Sequence, residues 1–161
     1  MMIRPATAQD VPAVIPMVEK LAKLHEQWDP VRWDYKPGTG EMYRAWLTKR
    51  AADPKSVFLV ADHERLLTDV PFLVGFLIGT VEANIPVYRT PSYGFVHDVW
   101  VEEDYRNEGI GRQMAMLAIE KFREIGVNQV RLETAACNEP ARKLFASCGF
   151  RVATNEMLVE V

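Results

Sequence analysis

The chain has 161 residues, a length typical of one domain, so we predict a single domain over residues 1–161. Apolar residues make up 48% and charged residues 25%, which are ordinary values for a globular protein. The net charge of −3 argues against a protein that binds nucleic acid through a basic face. The longest apolar run, residues 70–81, is too short to cross a bilayer, and the first ten residues lack the plan of a signal peptide. We therefore expect a cytoplasmic protein without nucleic-acid or membrane partners.

The two cysteines, Cys137 and Cys148, do not suggest a metal site. They form no C-x-x-C pair and no histidines cluster beside them. They could form a disulfide, but nothing marks the chain as secreted, so reduced thiols are the favoured interpretation.

The first half of the chain begins with a predicted strand at residues 2–5. Apolar residues then recur at helical spacing from Val11 to Ala22, although Pro16 should kink this helix or delay its start. Residues 27–40 are expected to form an aromatic-rich loop, and residues 41–53 a second helix.

The middle of the chain is rich in β-branched and aromatic residues, which is typical of strands. Strands are predicted at 56–62 and 71–83, with residues 63–70 as the turn of an antiparallel hairpin. After a loop at 84–92, residues 93–104 form the next predicted strand. Strict alternation of side chains along this strand predicts two faces. One face would carry Phe95, His97, Val99 and Val101, and the other Val96, Asp98 and Trp100.

The last third alternates helices and strands. A helix opens at Gly109 and Gly111 and ends at Gly126, a strand is predicted at 127–136, and Asn138 should cap a last helix that ends at Gly149. Residues 150–161 are predicted to be a strand or hairpin. This order indicates an α/β (α+β) fold with a mixed, mostly antiparallel sheet and helices on both faces.

The segment from Arg106 to Gly111, with Arg112 after it, is the most informative stretch. A strand that runs into a glycine turn and a helix exposes unpaired N–H groups at the positive end of the helix dipole, which suits an anion. Asn107 readily adopts the left-handed conformation, while Glu108 should point to solvent to avoid repelling the anion. The Walker pattern is excluded because no lysine follows the glycines, and a dinucleotide-binding fingerprint fits poorly because Met114 occupies its third glycine position.

The same segment resembles the [QR]-x-x-G-x-[GA] loop of the GNAT superfamily of N-acetyltransferases. Residues 96–114 resemble the core strand and loop of that family, and Asn138–Phe150 resemble its second conserved helix. The opening residues 3–14 are similar to its usual start. The resemblance covers nearly the whole chain and is weakest from about residue 26 to 94.

The resemblance implies a GNAT-like fold and transfer of an acetyl group from acetyl-CoA to a primary amine, which attacks the thioester directly in a ternary complex. It implies that the main chain around Val99 and Val101 binds the pantetheine arm and that the glycine loop binds the pyrophosphate. The predicted cofactor-binding residues are Val99, Trp100, Val101, Arg106, Asn107, Glu108, Gly109, Ile110, Gly111, Arg112, Asn138, Arg142 and Phe145.

The chemistry requires a group that removes a proton from the amine, because an alkylamine near pKa 10 is only about 0.1% neutral at pH 7. His97 occupies the position where some relatives carry a glutamate, and it titrates in a useful range. Asp98 is a second candidate for this base, with binding of the cationic amine as its alternative role, and Glu133 is a weaker candidate for the base. Many relatives use a tyrosine as the acid that protonates the leaving thiolate, and this chain has Phe145 at that position. Either the thiolate leaves unaided, or Cys148, Tyr88 or Tyr93 acts as the acid in place of the tyrosine.

In the family, the loop between the first two helices and the loop before the core strand usually shape the acceptor pocket. Here these loops carry aromatic and acidic residues, which suit a cation, although the aromatics could equally pack helices onto the sheet. The predicted acceptor-binding residues are Trp28, Trp33, Tyr35, Tyr93 and Asp98, with Asp29, Asp34 and Tyr88 nearby. We expect a small polyamine, amino sugar or amino-acid-like amine. Alternatives are acetylation of a protein amine and a CoA-binding module without catalysis, and a homodimer is possible.

Overall fold

The computed structural model describes residues 1–63 and 72–161. Its elements follow the predicted order closely, with a 3-10 turn at Glu103–Tyr105. The elements are β1 (Met2–Pro5), α1 (Val11–Trp28), α2 (Thr39–Ala51), β2 (Ser56–Asp62), β3 (Leu73–Ala83), β4 (Ser92–Val101), α3 (Ile110–Ile125), β5 (Val130–Leu132) and α4 (Glu139–Ser147). Apart from His63, the predicted hairpin turn at 63–70 lies outside the described residues. Pro16 lies inside α1 without delaying its start at Val11.

The five strands form one sheet in the order β1-β2-β3-β4-β5. All neighbours are antiparallel except β4 and β5, which are parallel because α3 crosses between them. This confirms the predicted mixed, mostly antiparallel sheet. No helix in the described part of the chain is long and apolar enough to cross a membrane.

Two apolar layers cover the faces of the sheet. The α1 and α2 side chains pack with Phe76 and Ile78 of β3 on one face. Helix α3 packs with Leu77 on the other, where a Cβ at Gly79 would lie 2.8 Å from the ring of Phe122. Removing this apolar surface from water is the main term that holds the helices on the sheet.

A β-bulge interrupts the pairing of β4 with β3 at His97. Asp98 pairs with Ile78 and Val96 pairs with Gly79, so His97 is the extra residue on β4. A bulge places two residues of one strand opposite one residue of its partner, and it therefore shifts the alternation of side chains beyond it.

The predicted faces of β4 are wrong for this reason. Val96, Val99 and Val101 pack together on the α3 face. Trp100 packs on the α1–α2 face, and His97 and Asp98 contact Trp46 and Tyr43 of α2. Strict alternation would have separated His97 from Asp98, whereas the bulge brings both to one side of the sheet.

The predicted strand or hairpin at 150–161 is also wrong, since these residues have no regular secondary structure and all but Phe150 are exposed. The preceding strand is shorter than expected, because β5 contains only Val130–Leu132. β-propensity measures how well side chains pack on a neighbouring strand, and so short a strand offers little to pair with. An ion pair between Arg32 and Glu156, with 2.5 Å between Nε and Oε1, fastens this segment to the loop before α2.

Candidate active site

The loop before α3 adopts the conformation that an anion site requires. Asn107 has a φ of 67°, as the sequence predicted, and Gly109, the residue before the helix, has a φ of 82°. No side chain of the described residues caps the first turn of α3, so the N–H groups of this turn are available to a ligand. Glu108 is exposed. Left-handed residues next to helical ones point successive N–H groups into one concavity, which is a common anion-binding arrangement.

The two arginines of this loop differ in their surroundings. Arg106 Nε donates to the Val101 carbonyl oxygen at 3.0 Å, and its guanidinium lies 4.7 Å from the ring centroid of Trp100. Arg112, in the first turn of α3, is exposed. Arg106 therefore lies back against the end of β4, and Arg112 is the arginine whose charge is available to an anion at the helix start.

Gly111 is close to another part of the protein. A Cβ at this position would lie 2.8 Å from Cδ1 of Leu144 in α4. The sequence suggested that a bare backbone here admits a phosphate. The structure gives a second reason for glycine, because α4 packs against the start of α3 at this point.

The sheet splits between β4 and β5. Their pairing ends at Val96 and Leu132, while β4 continues to Val101. Within the described chain, β4 therefore has no strand partner on that side over residues 97–101. Such an edge presents unpaired N–H and C=O groups that can bind an extended ligand as a further strand. The Trp100 side chain packs on the α1–α2 face, so only the main chain of this residue is available at the edge.

Helix α4 begins beyond the split. The Asn138 side-chain oxygen accepts a hydrogen bond from the Ala141 N–H at 3.2 Å, which confirms the predicted cap. Arg142 is exposed. Phe145 is buried, and its ring contacts that of Phe150 edge to face at 5.5 Å between centroids. The side chain at position 145 has no proton to donate.

A cavity of about 490 Å³ opens on the α1–α2 side of the sheet, between α2, the loop before it and β4. Its lining residues are Asp34, Tyr35, Lys36, Thr39, Met42, Tyr43, Trp46 and His97. Of the predicted site residues, His97 and Tyr35 are in this lining, and Asp98 contacts its Tyr43.

Three other predicted acceptor residues do not line the cavity. Trp28 and Trp33 pack around His25, with ring centroids 5.4 Å and 5.0 Å from the imidazole. The guanidinium of Arg131 covers the ring of Tyr93, 3.8 Å from its centroid. For these three, packing within the protein is the better explanation.

The α2 residues of the cavity were missed by the sequence analysis. Met42, Tyr43 and Trp46 project from one helix into the cavity, but aromatic residues at i and i+3 are also the usual pattern of a helix face that packs in the core. Only the unusual number of aromatic residues around the loop hinted at a pocket.

The His97 imidazole is held by neighbours on two sides. Its Nε2 lies 2.7 Å from the Thr80 hydroxyl oxygen and 3.7 Å from Oε1 of Glu82, both on β3. Its ring makes edge contacts with Trp46 at 5.3 Å and Phe95 at 5.0 Å. Burial lowers the pKa of His97 more than the nearby Glu82 raises it, so the imidazole is neutral at pH 7 and can accept a proton.

Asp98 lies beside His97 in a drier setting. Burial raises the pKa of Asp98 to about 6, although a hydrogen bond with the Tyr43 hydroxyl opposes this rise. Its Oδ2 is shielded from water and has no hydrogen-bond partner among residues 1–63 and 72–161. A carboxylate with an unused buried oxygen favours a cationic partner. Burial and the Asp98 charge in turn raise the pKa of Tyr43, so this phenol stays protonated.

Neither a disulfide nor a metal cluster is found in residues 1–63 and 72–161. Cys137 and Cys148 are free thiols. No group of three or more His, Cys, Asp or Glu side chains in these residues is arranged to hold a metal ion.

Comparisons with known proteins agree with this geometry. The model of the Acetyltransferase (GNAT) family matches residues 20–150. The chain is 29% identical over 128 residues to a mycothiol acetyltransferase of Corynebacterium aurimucosum, covering 78% of this chain and 39% of that protein. It is 27% identical over 124 residues to N-alpha-acetyltransferase 30 of Dictyostelium discoideum, covering 73% and 67%. The chain thus spans well under half of the first relative.

The fold is similar to that of solved structures. One of them is a Bacillus halodurans protein that carries four substitutions and is 21% identical to this chain. The two structures superpose with a TM-score of 0.83, and the alignment covers 100% of both chains. The family match extends over most of the chain and includes β4, the glycine loop and α3. The chain therefore belongs to the Acetyltransferase (GNAT) family.

Proposed function

We propose that this protein transfers an acetyl group from acetyl-CoA to the primary amine of a small cationic acceptor, with both substrates bound together. One observation carries the proposal: the bulge brings His97 and Asp98 to one face of the sheet at the point where β4 loses its partner strand. There the imidazole lines the cavity and the carboxylate lies behind it, in contact with the lining residue Tyr43. Family membership supports acetyl-CoA as the donor. The nature of the acceptor rests on the charges and aromatic rings of the cavity.

The chain has groups suited to binding CoA along one continuous path. The N–H groups from Asn107 to Arg112 suit its diphosphate, and the free edge of Val99 and Val101 suits its amide-containing arm. Acetyl-CoA supplies an acetyl group on a thioester when bound. A backbone N–H near Val99 would stabilise the charge that develops on the carbonyl oxygen.

The acceptor amine would bind between the imidazole and the carboxylate. Asp98, whose Oδ2 lacks a partner within the described part of the chain, would attract the ammonium group. The rings of Tyr43 and Trp46 would offer their faces to the same charge. His97 would then take a proton from the nitrogen. A positioned base contributes roughly 10²–10⁴-fold to such a reaction.

No side-chain acid is required at Phe145. A thiol with a pKa near 8.5 is a tolerable leaving group. Tyr88 is 59% exposed and Tyr93 is covered by Arg131, so neither is well placed to replace the missing phenol. Unaided departure of the thiolate is the simplest account of a chain with phenylalanine at this position.

The experiment is a thiol-release assay with acetyl-CoA and a panel of amines, each paired with its alcohol analogue. We expect turnover on small cationic amines and none on the alcohols. His97→Gln should reduce kcat/KM by about 10²–10⁴-fold, whereas His63→Gln, outside the cavity lining, should not. Turnover only on peptides with a free N-terminus would replace the small acceptor by a protein one. Tight CoA binding without turnover on any amine would refute catalysis.

A further inference from the structure

Thr80 is a buried polar residue that no part of the acetyl-transfer chemistry uses directly. It lies on β3 with only 5% of its surface exposed. Its hydroxyl contacts two groups: Oε1 of Glu82 at 2.5 Å and Nε2 of His97 at 2.7 Å. The three side chains form a hydrogen-bonded chain that runs from the surface to the imidazole.

Counting protons fixes the direction of this chain. A hydroxyl has one proton to donate, and a carboxylate can only accept. The Thr80 proton is therefore donated to Glu82, and the Thr80 oxygen must accept from His97. Nε2 of His97 consequently carries the ring proton, and in the neutral imidazole the lone pair is then on Nδ1.

We propose that Thr80 and Glu82 are positioning residues that hold neutral His97 in the Nε2–H tautomer, so that Nδ1 is the atom that accepts the proton of the acceptor amine. This inference rests on the proposed function of His97 as a base. The amine N–H bond breaks, the Nδ1–H bond forms, and the positive charge passes from the ammonium to the imidazolium. Glu82, 3.7 Å from Nε2, is placed to balance that charge.

The surroundings of the ring favour one orientation. Edge contacts with Trp46 and Phe95 fix the plane of the imidazole, and the bond to Thr80 fixes its rotation in that plane. Arg50 on α2 also acts on the ring, and it opposes the effect of Glu82 on the pKa of His97. The other titratable groups near the ring are those of the same cavity and strand, Asp34, Tyr35, Lys36, Tyr43 and Asp98.

The test is nuclear magnetic resonance on the unliganded protein, which needs no acetyl transfer. Long-range proton–nitrogen correlations distinguish protonated from unprotonated ring nitrogens, and His97→Gln assigns the signals among the three histidines. We expect Nε2 protonated and Nδ1 unprotonated at pH 8. Thr80→Val should produce a mixture of tautomers, and Thr80→Ser should restore the single one. A proton on Nδ1 in the native protein, or an unchanged tautomer in Thr80→Val, would overturn the proposal.

Glu82→Gln tests the role of the charge. With the dielectric constant of bulk water, two charges 3.7 Å apart shift a pKa by roughly 0.5–1 unit, and the shift grows as water is excluded. We expect the His97 resonances to titrate lower by about that amount, and kcat to fall while the amine KM changes little. Glu124→Gln, which removes an exposed carboxylate at the far end of α3, should leave both unchanged. If His97 titrates at the same pH in Glu82→Gln and Glu124→Gln, Glu82 does not balance the charge of the imidazolium.

The two proposals fail in different ways. A protein that acetylates no amine but keeps His97 in the Nε2–H tautomer would refute the acetyltransferase function. A protein that acetylates amines with His97 in the other tautomer would refute the positioning role of Thr80 alone.

Discussion

Replacing Asp98 by asparagine should stabilise the protein at neutral pH and weaken the binding of the proposed amine substrate. Burial raises the pKa of this carboxyl to about 6, about two units above the ordinary value near 3.9. Two units correspond to about 3 kcal/mol against the ionised form in the folded state. Asparagine has nearly the same shape and no charge.

The stabilisation depends on pH in a defined direction. Because the folded pKa of Asp98 is raised, the folded state binds the extra proton between about pH 4 and pH 6. Below about pH 4 the Asp98 carboxyl is protonated in both states and its burial does not reduce the stability of the native protein. As the pH rises through 6, the buried carboxyl ionises and the native protein loses about 3 kcal/mol of stability. Asp98→Asn does not titrate, so its advantage over the native protein should appear only above about pH 5.

At pH 8, Asp98→Asn should have a free energy of unfolding about 2 kcal/mol higher than that of the native protein. The variant avoids the cost of about 3 kcal/mol for the buried charge, but its buried amide without a partner costs roughly 1 kcal/mol. For a chain of this length the net difference of about 2 kcal/mol corresponds to a Tm increase of roughly 4–8 °C. Thermal unfolding of both proteins at intervals from pH 4 to pH 8 measures the difference. Asp104→Asn, which removes an exposed carboxylate, is the matched control and should change stability by less than about 0.5 kcal/mol at every pH.

The same variant should raise the KM for a cationic amine at least roughly tenfold, since a charge-assisted hydrogen bond is lost. A difference in stability that is equal at pH 4 and pH 8 would show that Asp98 is not desolvated as the structure indicates. An unchanged amine KM would remove Asp98 from the acceptor site.

Three further substitutions test separate parts of the site. Arg112→Gln should weaken CoA binding roughly 5- to 10-fold by calorimetry, while Arg123→Gln at the other end of α3 should not; equal losses would mean that the helix start has no special role. Tyr43→Phe removes the hydrogen bond that opposes the raised pKa of Asp98, so it should destabilise the protein at pH 8 and hardly at pH 4. Equal losses of stability at the two pH values would contradict this role of Tyr43. Asn138→Ala should cost about 1 kcal/mol in chemical denaturation by removing the cap of α4; no loss would mean that the cap is not formed in solution.

Local patterns were sufficient to predict most of the fold. The bounds of β1 and β2 match the predicted strands, and the left-handed conformation of Asn107 and the cap at Asn138 follow from residue type alone. These features depend on interactions between residues close together in sequence. The short β5 and the irregular residues 150–161 could not be predicted, because strand formation depends on which neighbours the tertiary fold supplies.

The acceptor side of the site was harder to predict for a related reason. Nothing in the sequence around His97 marks a bulge, yet this one extra residue decides that His97 and Asp98 share a face. The contribution of Tyr43 depends on how α2 packs across β4, and a helix aromatic has the same local pattern whether it lines a cavity or fills a core. The sequence singled out His97 and Asp98 as candidates, but their relative placement required the structure.

The proposed function depends most on two contacts with CoA: the N–H groups at the start of α3 would bind its diphosphate, and the unpaired edge of β4 would align its arm. Titration of nitrogen-15-labelled protein with CoA, followed by amide chemical shifts, tests this most directly. We expect the largest shifts at the amides from Asn107 to Arg112, followed by those of Val99 and Val101. Saturable CoA binding that leaves these amides unshifted would contradict it.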